Sequence, residues 1–264
     1  MRADIHTHAF HPKIAHKVLS YLEDHYGIPP VGNGIVRDLA ARIKDAGLDM
    51  AATHTAATGP AQVIPANNWA SVMNNRPDIK GFGTLHPDYP DWEKELERLK
   101  DEGIRGLKFH ADFQGFRLND PSFLRIMEHL DESWLLMFHV GDDLPPDENP
   151  SCPMKMARLV KDFPNLRMIA AHLGGYLHWQ LALENLAGLD VYLDTSSSLS
   201  FIDPSVLAAI LDKHPKERLL FGSDYPLFDP AAEIRQLESV AGLGENEIED
   251  LLKGTGQLLA GLGD

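Results

Sequence analysis

Seven histidines, one lysine and one aspartate stand at the ends of short apolar runs along this chain, and their types suit metal chemistry. The first pair is in Asp4-Ile5-His6-Thr7-His8, where Ile5 and Thr7 favour a strand. Side chains alternate along a strand, so Asp4, His6 and His8 are expected on one face. Imidazoles two residues apart lie about 6–7 Å apart along the backbone and can reach one cation. The others are His54, His86, Lys108 with His110, His139, His172 and Asp224. A packed core has no use for a ring of imidazoles, each needing a polar partner when buried. A divalent ion satisfies several at once. Nitrogen and carboxylate donors suit Zn²⁺ first, with Mn²⁺, Fe²⁺, Co²⁺ or Ni²⁺ as alternatives. The six remaining histidines of the 13 (His11, His16, His25, His129, His178, His214) fall on helices or loops and read as surface or packing residues.

These groups need elements to position them. Apolar runs at residues 48–54, 79–85, 104–109, 134–138, 166–171, 190–194 and 218–223 read as strands, after the opening one. Between them lie helical stretches at 11–26, 34–46, 65–76, 91–102, 121–129, 154–162, 176–187 and 204–213, with further helices to the C-terminus. Short buried strands alternating with helices imply a parallel sheet. Eight such units predict a closed (β/α)₈ TIM barrel of class α/β, one domain over residues 1–264. An open doubly wound sheet would want a Gly-rich loop after an early strand, and Gly32-Asn33-Gly34 falls between helices. In a barrel the strands' C-terminal ends share one rim, where chemistry sits.

The net charge of −15 and the pI near 5.2 argue against nucleic acid or an anionic membrane as partner. A small-molecule substrate remains, and a homo-oligomer is compatible with the sequence. No apolar run is long enough to span a bilayer. No leader-like segment opens the chain, and its single cysteine, Cys152, cannot form an intrachain disulfide. A cytoplasmic location is therefore expected. Cys152 lies in a Pro-rich loop without a paired base and reads as non-catalytic.

Asp4-x-His6-x-His8, His139, His172-x-Gly174-Gly175 and Gly222-Ser223-Asp224-Tyr225-Pro226, in that order, resemble the amidohydrolase superfamily. More narrowly they resemble its branch containing aminocarboxymuconate-semialdehyde decarboxylase and related hydrolases, hydratases and decarboxylases. The resemblance implies that His6, His8, His139 and Asp224 ligate a catalytic metal, one ion rather than two. It places His172 beside the metal for proton transfer or polarisation. A strand-4 lysine is carboxylated and bridges two ions in many amidohydrolases. Here Lys108 and His110 are read as substrate-binding, with His54 a further candidate. Asp4 could orient a ligand histidine, and Asp194 and the hydroxyl-rich residues 195–198 could touch substrate or start a turn.

The expected reaction is hydrolysis of a small carboxylated or cyclic metabolite by metal-activated water, with Asp224 as proton acceptor and His172 as polarising or acid group. Decarboxylation by the same residues is the alternative. Histidinol-phosphatase-type phosphoesterases end with an Asp-x-His pair that Asp224-Tyr225-Pro226 does not match. TatD-type deoxyribonucleases carry an acid where this chain has Lys108. A barrel that merely stores metal would not need Asp224 and His172. Loops 55–65, 111–120 and 142–153 are expected to select substrate, the last as a lid.

Overall fold

The computed structural model describes residues 1–262. Eight parallel strands follow the expected order: β1 (Ala3–Thr7), β2 (Met50–His54), β3 (Ile79–Phe82), β4 (Gly106–Phe109), β5 (Leu135–Phe138), β6 (Arg167–Ala170), β7 (Tyr192–Asp194) and β8 (Leu219–Leu220). Backbone bonds join the two sheet segments into a ring. Gly83 N donates to Gly106 O (2.9 Å) and Lys108 N to Gly83 O (2.8 Å), so β3 meets β4. Ile5 N donates to Phe221 O (2.9 Å) and Asp224 N to His6 O (2.8 Å), so β8 meets β1. The barrel is closed, as the eight-unit pattern predicts.

Strand alternation sorts the apolar residues into two layers. Leu135 and Met137 join Ile5, Ala52, Phe82 and Ile169 in one cluster, which Leu259 and Leu262 from the C-terminal segment complete. Leu136 and Phe138 belong to the larger cluster between strands and helices. Five helices open on proline (Pro12–Tyr26, Pro121–Met127, Pro153–Asp162, Pro204–Lys213 and Pro230–Ser239). Proline's fixed φ and missing N–H are tolerated there. The first closes on Gly27 at φ 67°, the left-handed cap glycine adopts without strain. The stretch 111–120 was expected as a loop, yet Ala111–Gln114 forms a helical turn in which the His110 side chain accepts from Phe113 N.

The strand β1 departs from simple alternation. Asp4 pairs with Ala51 and Thr7 with Thr53, so two residues, Ile5 and His6, span what Ala52 alone spans on β2. That is a bulge, which re-aims a side chain. Asp4 therefore does not share a face with His6, contrary to the alternation argument. Its Oδ1 instead accepts from His6 N (3.0 Å) and Ser223 N (3.1 Å), clipping β1 to the segment after β8.

Close packing sets one sharp limit on substitution. A Cβ on Gly81 of β3 would stand 2.0 Å from the Ala70 carbonyl oxygen in helix Val63–Asn74. Backbone cannot yield as a side-chain tip can, so Gly81→Ala should destabilise the protein by about 3 kcal/mol. Denaturant titration would show this as a lower midpoint at unchanged slope.

Candidate active site

The strand ends meet at the floor of one cavity of about 1270 Å³, lined there by His6, His8, Lys108, His139, His172 and Asp224. The backbone that presents them is strained: His172, Ser197 and Asp224 have φ of 60°, 48° and 62°. Left-handed conformations in non-glycine residues cluster where function over-determines the geometry.

Hydrogen bonds assign the tautomers. His8 Nδ1 lies 2.8 Å from the His54 carbonyl, which can only accept, so Nδ1 carries the proton. Its Nε2 then turns toward Asp224 Oδ1 at 3.2 Å. A nitrogen lone pair and a carboxylate oxygen at that distance need positive charge between them, from a proton or a metal ion. His6 repeats the pattern: Nδ1 donates to Asp194 Oδ2 (3.1 Å), leaving Nε2 3.7 Å from Asp224 Oδ1. Lys108 Nζ lies 3.2 Å from that same Nε2. Ligating atoms of His6, His8 and Asp224 fall within 4.8 Å of one another.

Around this trio the network continues inward. His172 Nδ1 lies 3.1 Å from the Ser196 carbonyl, so it too is protonated. His172 Nε2 therefore accepts from His139 Nδ1 at 3.0 Å. That leaves His139 Nε2 an unprotonated, buried nitrogen without a partner among the described residues. An unpartnered lone pair on a buried nitrogen of the cavity lining suits a cation or a hydrogen-bond donor. The donors grouped with His139, however, are His110 and Asp112 rather than the His6–His8–Asp224 trio. The ring of His110 stacks on that of His139 at 3.8 Å and 8°.

Electrostatics keep His6 and His139 neutral and Asp194 and Asp224 charged. Burial, with the Lys108 ammonium beside it, brings His6 down to about 4. Burial also holds His139 well below its ordinary value, helped by His110, His172 and Lys108. For Asp194 burial acts upward, but the His6 ring, its hydrogen bond, His172 and Ser196 outweigh it and bring the carboxyl to about 2. Asp224 likewise lies well below the carboxylate range, because His6, the His8 bond and His172 overcome burial. Burial pushes Lys108 down to about 8, with Asp194 and Asp224 pulling the other way. Neutral imidazoles and ionised carboxylates are the forms that ligate metals. The donor set fits a divalent cation.

Several expected residues stand elsewhere. His54 does not line the cavity: it is fully buried, and its Nε2 donates to the Ile5 carbonyl (2.5 Å), bracing the β1 bulge. His86 caps its strand end, with Nε2 on Gln114 O (3.0 Å). Lys108 and His110 do line the cavity. Residues 142–153 do not. Asn149 Nδ2 and Ser151 Oγ donate to Asp112 at 3.0 and 2.5 Å, tying that loop to the segment after β4. Cys152 is buried at the start of helix Pro153–Asp162.

Ser196 entered the sequence reading only as one of the hydroxyl-rich residues 195–198, able to touch substrate or start a turn. Its hydroxyl donates to Asp194 and stands 2.9 Å from His6 Nδ1 and 3.0 Å from His172 Nδ1. Ser197 Oγ donates to Asp224 Oδ2 at 2.5 Å. The only sequence signal was the hydroxyl-rich run itself.

The sequence model of the amidohydrolase family matches residues 3–256. The chain belongs to the amidohydrolase family. It is thus a TIM-barrel enzyme of the metal-dependent kind, and the order of motifs is accounted for. Solved structures give the same fold at low identity. An amidohydrolase II superposes with a TM-score of 0.73 at 17% identity, covering 98% of this chain and 100% of that one. The 4-oxalomesaconate hydratase of Rhodopseudomonas palustris gives 0.67 at 20%, covering 99% and 98%. A dihydroxybenzoic acid decarboxylase of Polaromonas sp., with bound manganese and the inhibitor 2-nitroresorcinol, gives 0.68 at 14%, covering 98% and 96%. Among the described residues of this amidohydrolase, no helix is long and apolar enough to cross a membrane.

Proposed function

We infer that this protein is a cytoplasmic metal-dependent hydrolase acting on a carboxylated or cyclic metabolite, with His6, His8, His139 and Asp224 as metal ligands. The observation that carries the reading is the His8 Nε2–Asp224 Oδ1 contact of 3.2 Å, which needs positive charge between its atoms. A bound Zn²⁺, or Mn²⁺, Fe²⁺, Co²⁺ or Ni²⁺ in its place, supplies Lewis acidity and makes water a nucleophile near neutral pH. A single ion is the reading we adopt, held by the His6–His8–Asp224 trio whose ligating atoms lie within 4.8 Å of one another.

The chain's own groups then divide the work. Asp224, ionised and held by Ser197, accepts a proton from the attacking water. His172 Nε2, unprotonated at rest and paired with His139, takes up that proton from Asp224 during turnover and passes it to the leaving group. Lys108 and His110 face the same cavity and hold a substrate carboxylate. Asp194 orients His6 by accepting from Nδ1, so Asp194→Asn should weaken metal binding by about 10- to 100-fold, read by competitive metal titration.

Decarboxylation is the second reading, favoured by Lys108 Nζ at 3.2 Å from His6 Nε2. A carboxylate held there would lie beside the metal, and the proton from His172 would go to carbon. Incubation with a panel of carboxylated cyclic and aromatic compounds, trapping CO₂ and assaying hydrolysis products, separates the two. Hydrolysis product without CO₂ supports the first reading, and stoichiometric CO₂ replaces it with the second.

A further inference from the structure

The helix after β1, Pro12–Tyr26, has an apolar stripe that the protein core does not cover. Of its 15 residues only Ala15 is fully buried. Ile14, Val18, Tyr21 and Leu22 recur at helical spacing on one face, which lines the cavity. Ile14 and Tyr21 are 49% and 55% exposed. Helix Val63–Asn74 supplies the facing wall through Pro65, Ala66, Trp69 and Val72, with Val72 53% exposed. Contiguous apolar surface of this kind, continuous with a catalytic floor, marks a binding site.

Size and charge narrow the occupant. Ligand pockets commonly run about 300–1,000 Å³, and this one reaches 1270 Å³. From Ile14 to Leu22 the wall extends about 12 Å along the helix axis, longer than one aromatic ring. The chain has 39 acidic against 24 basic residues, yet among the described residues Asp224 is the only acid on the cavity lining. Lys13 and Lys17 line it at the solvent end, exposed and without an ion pair among the described residues.

We propose that the substrate is an elongated amphiphile: its reacting group on the His6–His8–Asp224 floor, an apolar body between the two helices, and an anionic far end at Lys13 and Lys17. This rests on the hydrolytic reading for the floor and adds the vestibule as the element that selects substrate. A single-ring metabolite would leave both helix faces wet. Val18 and Tyr21 select for the body, and the two lysines for the terminal charge.

Binding calorimetry on the protein as isolated tests this with straight-chain dicarboxylates from succinate to dodecanedioate, beside monocarboxylates of equal length. Affinity should rise about threefold per added methylene until the wall is filled. Val18→Asp and Tyr21→Asp, both at solvent-accessible positions, should flatten that dependence. Lys13→Glu with Lys17→Glu should cost the long dicarboxylates about tenfold and the matching monocarboxylates little. A flat series, or a length dependence untouched by Val18→Asp and Tyr21→Asp, overturns the proposal. So does a stable dimer in sedimentation that Tyr21→Asp dissociates, because the stripe would then belong to a second copy. Turnover is not needed for the readout. A length-dependent series in a protein that hydrolyses nothing would sink the hydrolytic reading alone. A flat series beside Asp224-dependent hydrolysis would sink this one alone.

Discussion

Asp224→Asn should lower kcat/KM by about 10³–10⁴-fold while the barrel still folds. The carboxylate accepts the Ser197 hydroxyl at 2.5 Å through Oδ2 and faces His8 at 3.2 Å through Oδ1. Asparagine has the same shape, and the strained φ of 62° at this position is one that asparagine tolerates. The amide cannot take up a proton, and it removes the negative charge that balances a cation against His6 and His8. Steady-state kinetics at matched metal loading separates the two losses. If activity returns with excess metal, Asp224 is a ligand only. If it stays low, the proton transfer is lost as well. Full activity without added metal would contradict both roles.

A second large effect is expected at His172. The ring is buried, its Nδ1 committed to the Ser196 carbonyl and its Nε2 to His139. Burial, partly opposed by Asp224 and Asp194, lowers its pKa, so it rests neutral and takes up a proton only during turnover. His172→Ala should reduce kcat by about 10²–10⁴-fold with metal content unchanged. The KM should move little if the ring acts on the leaving group rather than on substrate binding. Substrates with better leaving groups should lose less. Uniform losses across leaving groups would instead assign His172 a positioning role through His139.

The barrel was legible in the chain because each strand is a short apolar run closed by a turn residue and followed by a helix. The positions of Lys108, His139, His172 and Asp224 at strand ends then placed them on one rim, and the structure brings them to one cavity. The β1 bulge was not legible, since one extra residue leaves no mark on alternation over five positions. It turned Asp4 from a supposed partner of the histidines into a backbone clip. Asp194 and Ser196 were visible only as a strand end and a hydroxyl run. Their bonds to His6 span 188 and 190 residues, and no local pattern encodes such a pairing. The vestibule was hidden for another reason. Ile14, Val18, Tyr21 and Leu22 have the periodicity of any amphipathic helix, which does not say whether the stripe faces core or cavity. Length suggested residues 142–153 as the lid, but bonds from Asn149 and Ser151 to Asp112 tie that loop to the segment after β4.

The central claim is that His6 and His8, aimed by Asp194 and the His54 carbonyl, hold one side of a single catalytic metal opposite Asp224. Elemental analysis of the purified protein, beside a His6→Ala/His8→Ala variant of matched fold by circular dichroism, tests this directly. About one divalent ion per chain in the native protein, and essentially none in the variant, is the predicted result. A native protein free of metal after purification and reloading, or a variant that keeps its full complement, would contradict it.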